Sequence, residues 1–295
     1  MVMKRLGAVA HMILAATILT AGTYRLCAQE KATMLRDKMW TWGYVIAGKT
    51  PEKVPFVGPS SCSLETAAAY IGTPNVVFMN SNHNINNLSP ECFGHVTACK
   101  QVLCALQHGK YKETAERVSR LSKEHPNIIG GLIDDFREKT GPSKAITPEE
   151  TKAIYEALKS ENPALKLYLV RYTWQDQNEM LPFLPYFDVI NLWVWVPDET
   201  VWKETIGPEI DRIAALTKKP IVLGLFLHDY GKSGKAMPMN FLEMQCVKAV
   251  ELLKTGKIEG IIFLQSGWFD QEDHRPQIQW LRQYLEWVYG TESQR

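Results

Sequence analysis

Residues 128–136 read Ile-Ile-Gly-Gly-Leu-Ile-Asp-Asp-Phe, an unbroken apolar and glycine run closed by two adjacent acids. A run without polar alternation is how a strand reads when both of its faces are covered, as in a parallel sheet. Val76-Val77-Phe78-Met79 before it and Ile221-Val222-Leu223-Gly224-Leu225-Phe226-Leu227 after it have the same character. Working outward by period and punctuation, eight strands are expected: Met39–Ile46, Asn75–Asn80, Gln101–Gln107, Ile128–Asp134, Leu165–Arg171, Val189–Trp195, Ile221–Leu227 and Gly260–Gln265.

Helical patterns fall between these strands. They are predicted over Ser63–Ile71, Lys112–Lys123, Pro148–Ser160, Glu204–Leu216, Asn240–Leu253 and Gln277–Tyr289. The Pro148 helix has the strongest start, with Thr147 as N-cap, proline at the first position and Glu149 and Glu150 in the first turn. Pro90–Ala98 and Gln177–Leu184 read as short and weakly helical. Eight strands alternating with helices describe an α/β protein, a (β/α)8 TIM barrel, whose usual size is about 250 residues. The competing architecture, a doubly wound open sheet, usually carries a Gly-rich phosphate loop early, and none follows the first strand.

The N-terminal stretch has a different composition. Met1–Ala28 joins a basic start (Lys4, Arg5) to an apolar run from Leu6 to Thr23 and ends on a small residue, the anatomy of a secretory signal peptide. An uncleaved anchor or a lipid attached at Cys27 are the other readings of that segment. The expected organisation is therefore a signal peptide over 1–28 and a single barrel domain over 29–295, in a secreted or periplasmic protein with no lasting membrane partner. Of the 33 basic and 32 acidic residues, Lys4, Arg5 and Arg25 leave with the leader, so the mature chain carries 30 against 32. Such a near-neutral chain has no electrostatic hold on a polyanion, which argues against a nucleic-acid partner. Cys62, Cys92, Cys99, Cys104 and Cys246 remain without any CxxC pair. One bridge, Cys92–Cys99, and small buried thiols are both compatible with that pattern.

In a barrel of this kind the site lies at the C-terminal ends of the strands. The residues there are Trp42 and Tyr44, Asn80 and His83, His108, Asp134 and Asp135, Arg171 and Tyr172, Trp193 and Trp195, His228 and Asp229, and Gln265 and Trp268. A mouth of indoles, phenols and amides around a few carboxylates suits carbohydrate: the C–H faces of a sugar stack on aromatic rings, and its hydroxyls pair with amides and acids. Asp134 and Asp135 carry most weight, because an unpaired carboxylate at the end of an apolar strand is costly to bury. Strand alternation sends one of them to the mouth and the other to a neighbouring loop, unless the strand ends between them.

With this barrel pattern, the Ile-Asp-Asp-Phe segment and the aromatic mouth, the chain resembles the TIM-barrel glycoside hydrolase superfamily. The resemblance implies an acid at the end of the fourth strand and a second catalytic or binding group after the sixth or seventh. No Asn-Glu pair ends the fourth strand, and no DxxDxDxE run occurs. Glycoside hydrolysis asks for two carboxylates flanking the bond. Asp135 or Asp134 paired with Asp229 are the candidates, with no cofactor or metal required. Two other readings use the same residues. One is a metal-dependent barrel hydrolase of amidohydrolase or phosphodiesterase type, with His83, His108 and His228 beside the acids, although the first strand offers Trp-Thr-Trp-Gly where such barrels often show His-x-His. The other is a glycan-binding barrel without catalysis.

Overall fold

A computed structural model describes residues 34–48, 50–79, 88–137 and 145–292. The signal-peptide segment, Asn80 and His83 lie outside the described residues. Eight parallel strands close into a barrel: β1 (Met39–Gly43), β4 (Asn75–Phe78), β5 (Gln101–Ala105), β6 (Ile128–Ile133), β7 (Lys166–Tyr172), β8 (Val189–Trp193), β9 (Ile221–Phe226) and β10 (Gly260–Leu264). Each pairs with its neighbours in chain order, and β1 closes the ring on β10. Seven of the eight strands begin where the sequence places them, and β7 begins one residue later than expected. Seven end one to three residues sooner, because the chain leaves the ladder to build the mouth.

A short antiparallel hairpin, β2 (Glu52–Val54) and β3 (Gly58–Ser60), follows β1 and was not expected from sequence. Helices α1 (Leu64–Ile71), α2 (Pro90–Gly94), α3 (Tyr111–Glu124), α4 (Pro148–Lys159), α5 (Ile206–Thr217), α6 (Met239–Lys254) and α7 (Arg275–Glu292) complete the alternation. The Gln177–Tyr186 link is a 3-10 helix, and a π-helical turn, Val201–Thr205, leads into α5. At the start of α4, Thr147 and Glu150 form a reciprocal capping box, with Glu150 N–H donating to Thr147 Oγ1 at 3.2 Å and Thr147 N–H to Glu150 Oε2 at 2.8 Å. Ser63 behaves otherwise: its hydroxyl accepts from Ile46 N–H and donates to Glu65, so it does not cap α1.

The core consists of the strands, buried along almost their whole length, and the inner faces of the helices. Trp40 is buried near the N-terminal end of the barrel, away from the mouth. On the outer helical ring Trp202 is buried, whereas Trp287 is 61% exposed. All five described cysteines are free thiols, so Cys92 and Cys99 are not bridged. Among the described residues no helix is long and apolar enough to cross a membrane.

Candidate active site

Alternation along the strands decides which side chains reach the mouth. Val170 and Tyr172 on β7 point inward, and Arg171 between them points outward. Trp42, Trp193 and Phe226 arrive in the same way from β1, β8 and β9, and Leu264 from β10. With Tyr44, Phe56, Met79, Asp134, Asp135, Trp195, Tyr230 and Gln265 they line a cavity that opens at the C-terminal end of the barrel. Space for Trp193 is made by Gly224, its partner across β8 and β9. A Cβ there would lie 2.1 Å from the indole, far inside contact distance.

Both acids of the Asp-Asp pair stand on the cavity wall, which corrects the expectation that one would turn away. The strand ends at Ile133, and Asp135 takes a φ of +49°, a left-handed conformation that Asp tolerates better than most residues. Asp134 Oδ1 accepts the N–H of Asp135 at 3.0 Å, and the Tyr172 hydroxyl donates to Asp135 Oδ1 at 2.6 Å. The Tyr44 hydroxyl is held in its neutral form, first by burial and then by the charge of Asp134 and by Tyr230.

Several expected site residues do other work. Arg171 is fully buried outside the cavity. Its guanidinium donates to the carbonyls of Phe136 at 3.1 Å and Asp176 at 2.9 Å, tying the turn that presents the acid pair to the loop after β7. Asp229 is 2% exposed and does not line the cavity. Its two oxygens accept the N–H groups of Lys232 at 3.0 Å and Ser233 at 2.8 Å, so its carboxylate organises its own loop and does not face Asp135. His108 is bonded to the Tyr111 hydroxyl at 2.7 Å, and its pKa is lowered by burial against the opposing charge of Asp135.

His228 and Trp268 also stand behind the wall. The His228 ring stacks on Trp268 at 4.2 Å and shares a 3.0 Å hydrogen bond with His274 Nε2. Trp268 Nε1–H in turn donates to the Tyr230 hydroxyl at 2.8 Å, so this buried stack buttresses a cavity residue. Burial, and for His274 the neighbouring His228, push both imidazole pKa values down, that of His274 to about 4. Among the described residues no group of three His, Cys, Asp or Glu is placed to hold a metal ion.

The comparisons with known proteins agree with the architecture. No protein-family model matches the chain, and no curated protein matches it in sequence. Solved structures do match. A tryptophan synthase alpha-subunit from Pyrococcus furiosus is 11% identical with a TM-score of 0.53, over 86% of this chain and 98% of that one. A glycoside hydrolase family 5 mannosidase from Rhizomucor miehei is 11% identical with a TM-score of 0.53, over 78% and 88%. A protein from Aquifex aeolicus is 12% identical with a TM-score of 0.51, over 88% and 95%. The likeness is one of fold. It is a TIM-barrel likeness that includes a glycoside hydrolase.

Sequence reasoning chose Trp42, Tyr44, Asp134, Asp135, Tyr172, Trp193, Trp195 and Gln265, all of which line the cavity. It missed Phe56, whose signal was the turn punctuation of Val54-Pro55-Phe56-Val57-Gly58-Pro59. Phe226 and Val170 were also passed over, although period-two alternation with Tyr172 marks Val170 as inward.

Proposed function

We propose that the protein is a glycoside hydrolase acting at the barrel mouth. One observation carries the reading: adjacent carboxylates, Asp134 and Asp135, stand on the wall of a cavity otherwise built mainly of Trp, Tyr and Phe. Indole and phenol faces cover the apolar sides of a sugar and exclude water, while Gln265 and Tyr44 offer hydrogen-bonding groups for its hydroxyls. In this reading the Asp135 carboxyl, oriented by Tyr172, protonates the leaving oxygen as its bond to the anomeric carbon breaks. Asp134 stabilises the positive charge that develops on the sugar. Water then supplies hydroxide to the anomeric carbon, and its proton restores Asp135.

General acid catalysis is worth about 10²–10⁴-fold. Asp135→Asn should lower turnover by that order on a glycoside with a poor leaving group, and by less on an aryl glycoside that needs little protonation. Full activity in Asp135→Asn with an unchanged melting temperature would overturn the assignment. A second reading, glycan binding without cleavage, is favoured by the position of Asp229. Among the described residues the cavity lining holds no acid besides the adjacent pair. Binding of a glycan panel without release of any product would decide for it.

We also propose export, on the anatomy of residues 1–28. Secreted material should begin near Gln29 on N-terminal sequencing, and Met1 retained in a membrane fraction would count against it.

A further inference from the structure

Five aromatic side chains touch in series around the mouth. Phe56 meets Tyr230 edge-on at 6.0 Å, Tyr230 stacks on Trp195 at 5.9 Å, Trp195 meets Tyr172 at 5.6 Å, and Tyr172 stacks on Trp174 at 5.9 Å. The interior members are buried or half-buried, but the two ends are open: Phe56 is 85% and Trp174 44% exposed. A packing cluster has no reason to leave rings at both of its ends in water.

Phe56 adds a second observation. It sits in the turn between β2 and β3 at a φ of +65°, where a bulky residue is a conformational outlier and glycine would be easier to accommodate. Its ring contributes almost nothing to the core, yet it forms one edge of the cavity. An exposed ring kept at a strained position points to a ligand.

We infer that the cavity belongs to a longer cleft that binds an oligosaccharide chain, with successive sugar rings laid along this aromatic arc. The inference rests on the glycoside hydrolase reading and extends it from a sugar to a chain. Tyr172, the fourth ring of the series, is the one bonded to Asp135, so rings lie both before and beyond the acid. A bond positioned at Asp135 then has sugar units on both sides, and cleavage falls inside the chain.

The test measures calorimetric binding of cello-, xylo-, manno- and chito-oligosaccharides of one to six units to the full-length Asp135→Asn protein, whose cleavage should be about 10²–10⁴-fold slower than the parent's so that binding is read ahead of it. Affinity should rise with length through at least four units in one series. Added to that background, Phe56→Gly and Trp174→Ala should each lower the ratio of hexasaccharide to disaccharide affinity about tenfold, the worth of one aromatic platform. Phe56→Gly should melt no lower than its parent, since glycine suits the backbone there. Affinity that is flat with length would overturn the extended cleft and leave the single-sugar reading standing. Equal losses on short and long chains in both variants would have the same consequence. Failure of every series to bind at any length would overturn both.

Discussion

Asp229 and Asp135 are both acids at the end of a barrel strand, and they differ in what holds their oxygens. Asp229 accepts two backbone N–H groups of its own loop, whereas Asp135 receives a phenol and faces the cavity. Asp229→Asn keeps the shape but loses the charge and one acceptor oxygen, so it leaves one backbone N–H of its loop short of a partner. Charge-assisted bonds of this kind put the cost at about 1–3 kcal/mol of folding stability. Urea unfolding should register that loss, while the folded variant keeps turnover near the parent value. A hundredfold drop in turnover with no loss of stability would return Asp229 to the catalytic machinery. Nothing in the sequence separates these two roles, because the groups that engage each carboxylate come from a turn conformation in one case and another strand in the other.

At the level of elements, the mouth depends on how neighbouring strands and loops lock together. Arg171 reaches from the outer face of β7 to the carbonyl of Phe136 and so anchors the turn after β6 from behind. Gly224 on β9 leaves room for the Trp193 indole, which also donates to Asn191 Oδ1 at 3.0 Å. Gly224→Ala therefore forces either the indole or a strand to move. Overpacking of this sort costs about 1–3 kcal/mol. The variant should show altered tryptophan fluorescence and weaker sugar binding than Thr147→Ala, which removes a remote helix cap for about 1 kcal/mol. Equal sugar affinity in the two variants would mean that Trp193 is not a binding surface. The strands and helices themselves were legible in sequence, since period and capping residues act locally. The β2–β3 hairpin was not, because three-residue strands, one flanked by prolines and the other containing one, carry too little periodicity to register.

For the whole molecule, the buried imidazoles link stability to pH. His228 and His274 are depressed below their ordinary value of 6.5, His274 to about 4, chiefly because burial disfavours the charged ring. The unfolded chain takes up these protons below pH 6.5, and the folded chain resists until more acidic values are reached. Their contribution is therefore fully present above pH 6.5 and is lost as pH falls toward 4, at up to about 1.4 kcal/mol per pH unit for each proton. Melting temperature should fall across this window, and His274→Phe, which keeps an aromatic ring against Trp268, should flatten part of the fall. An unchanged pH profile in that variant would show that the pair does not govern acid stability.

The (β/α)8 alternation, the end of the barrel where polar and aromatic residues collect, and eight of the residues that line the cavity were readable from the chain's local pattern. These follow from short-range periodicity and from the rule that strand C-termini face the mouth. It took the folded arrangement to put Asp134 and Asp135 on one wall, to engage Arg171 and Asp229 with backbone groups outside the cavity, and to bring Phe56 back to the rim. The reason is physical. A side chain's position along a strand is written locally, but which groups compete for its hydrogen bonds is settled by segments distant in the chain and by a single backbone dihedral at the turn.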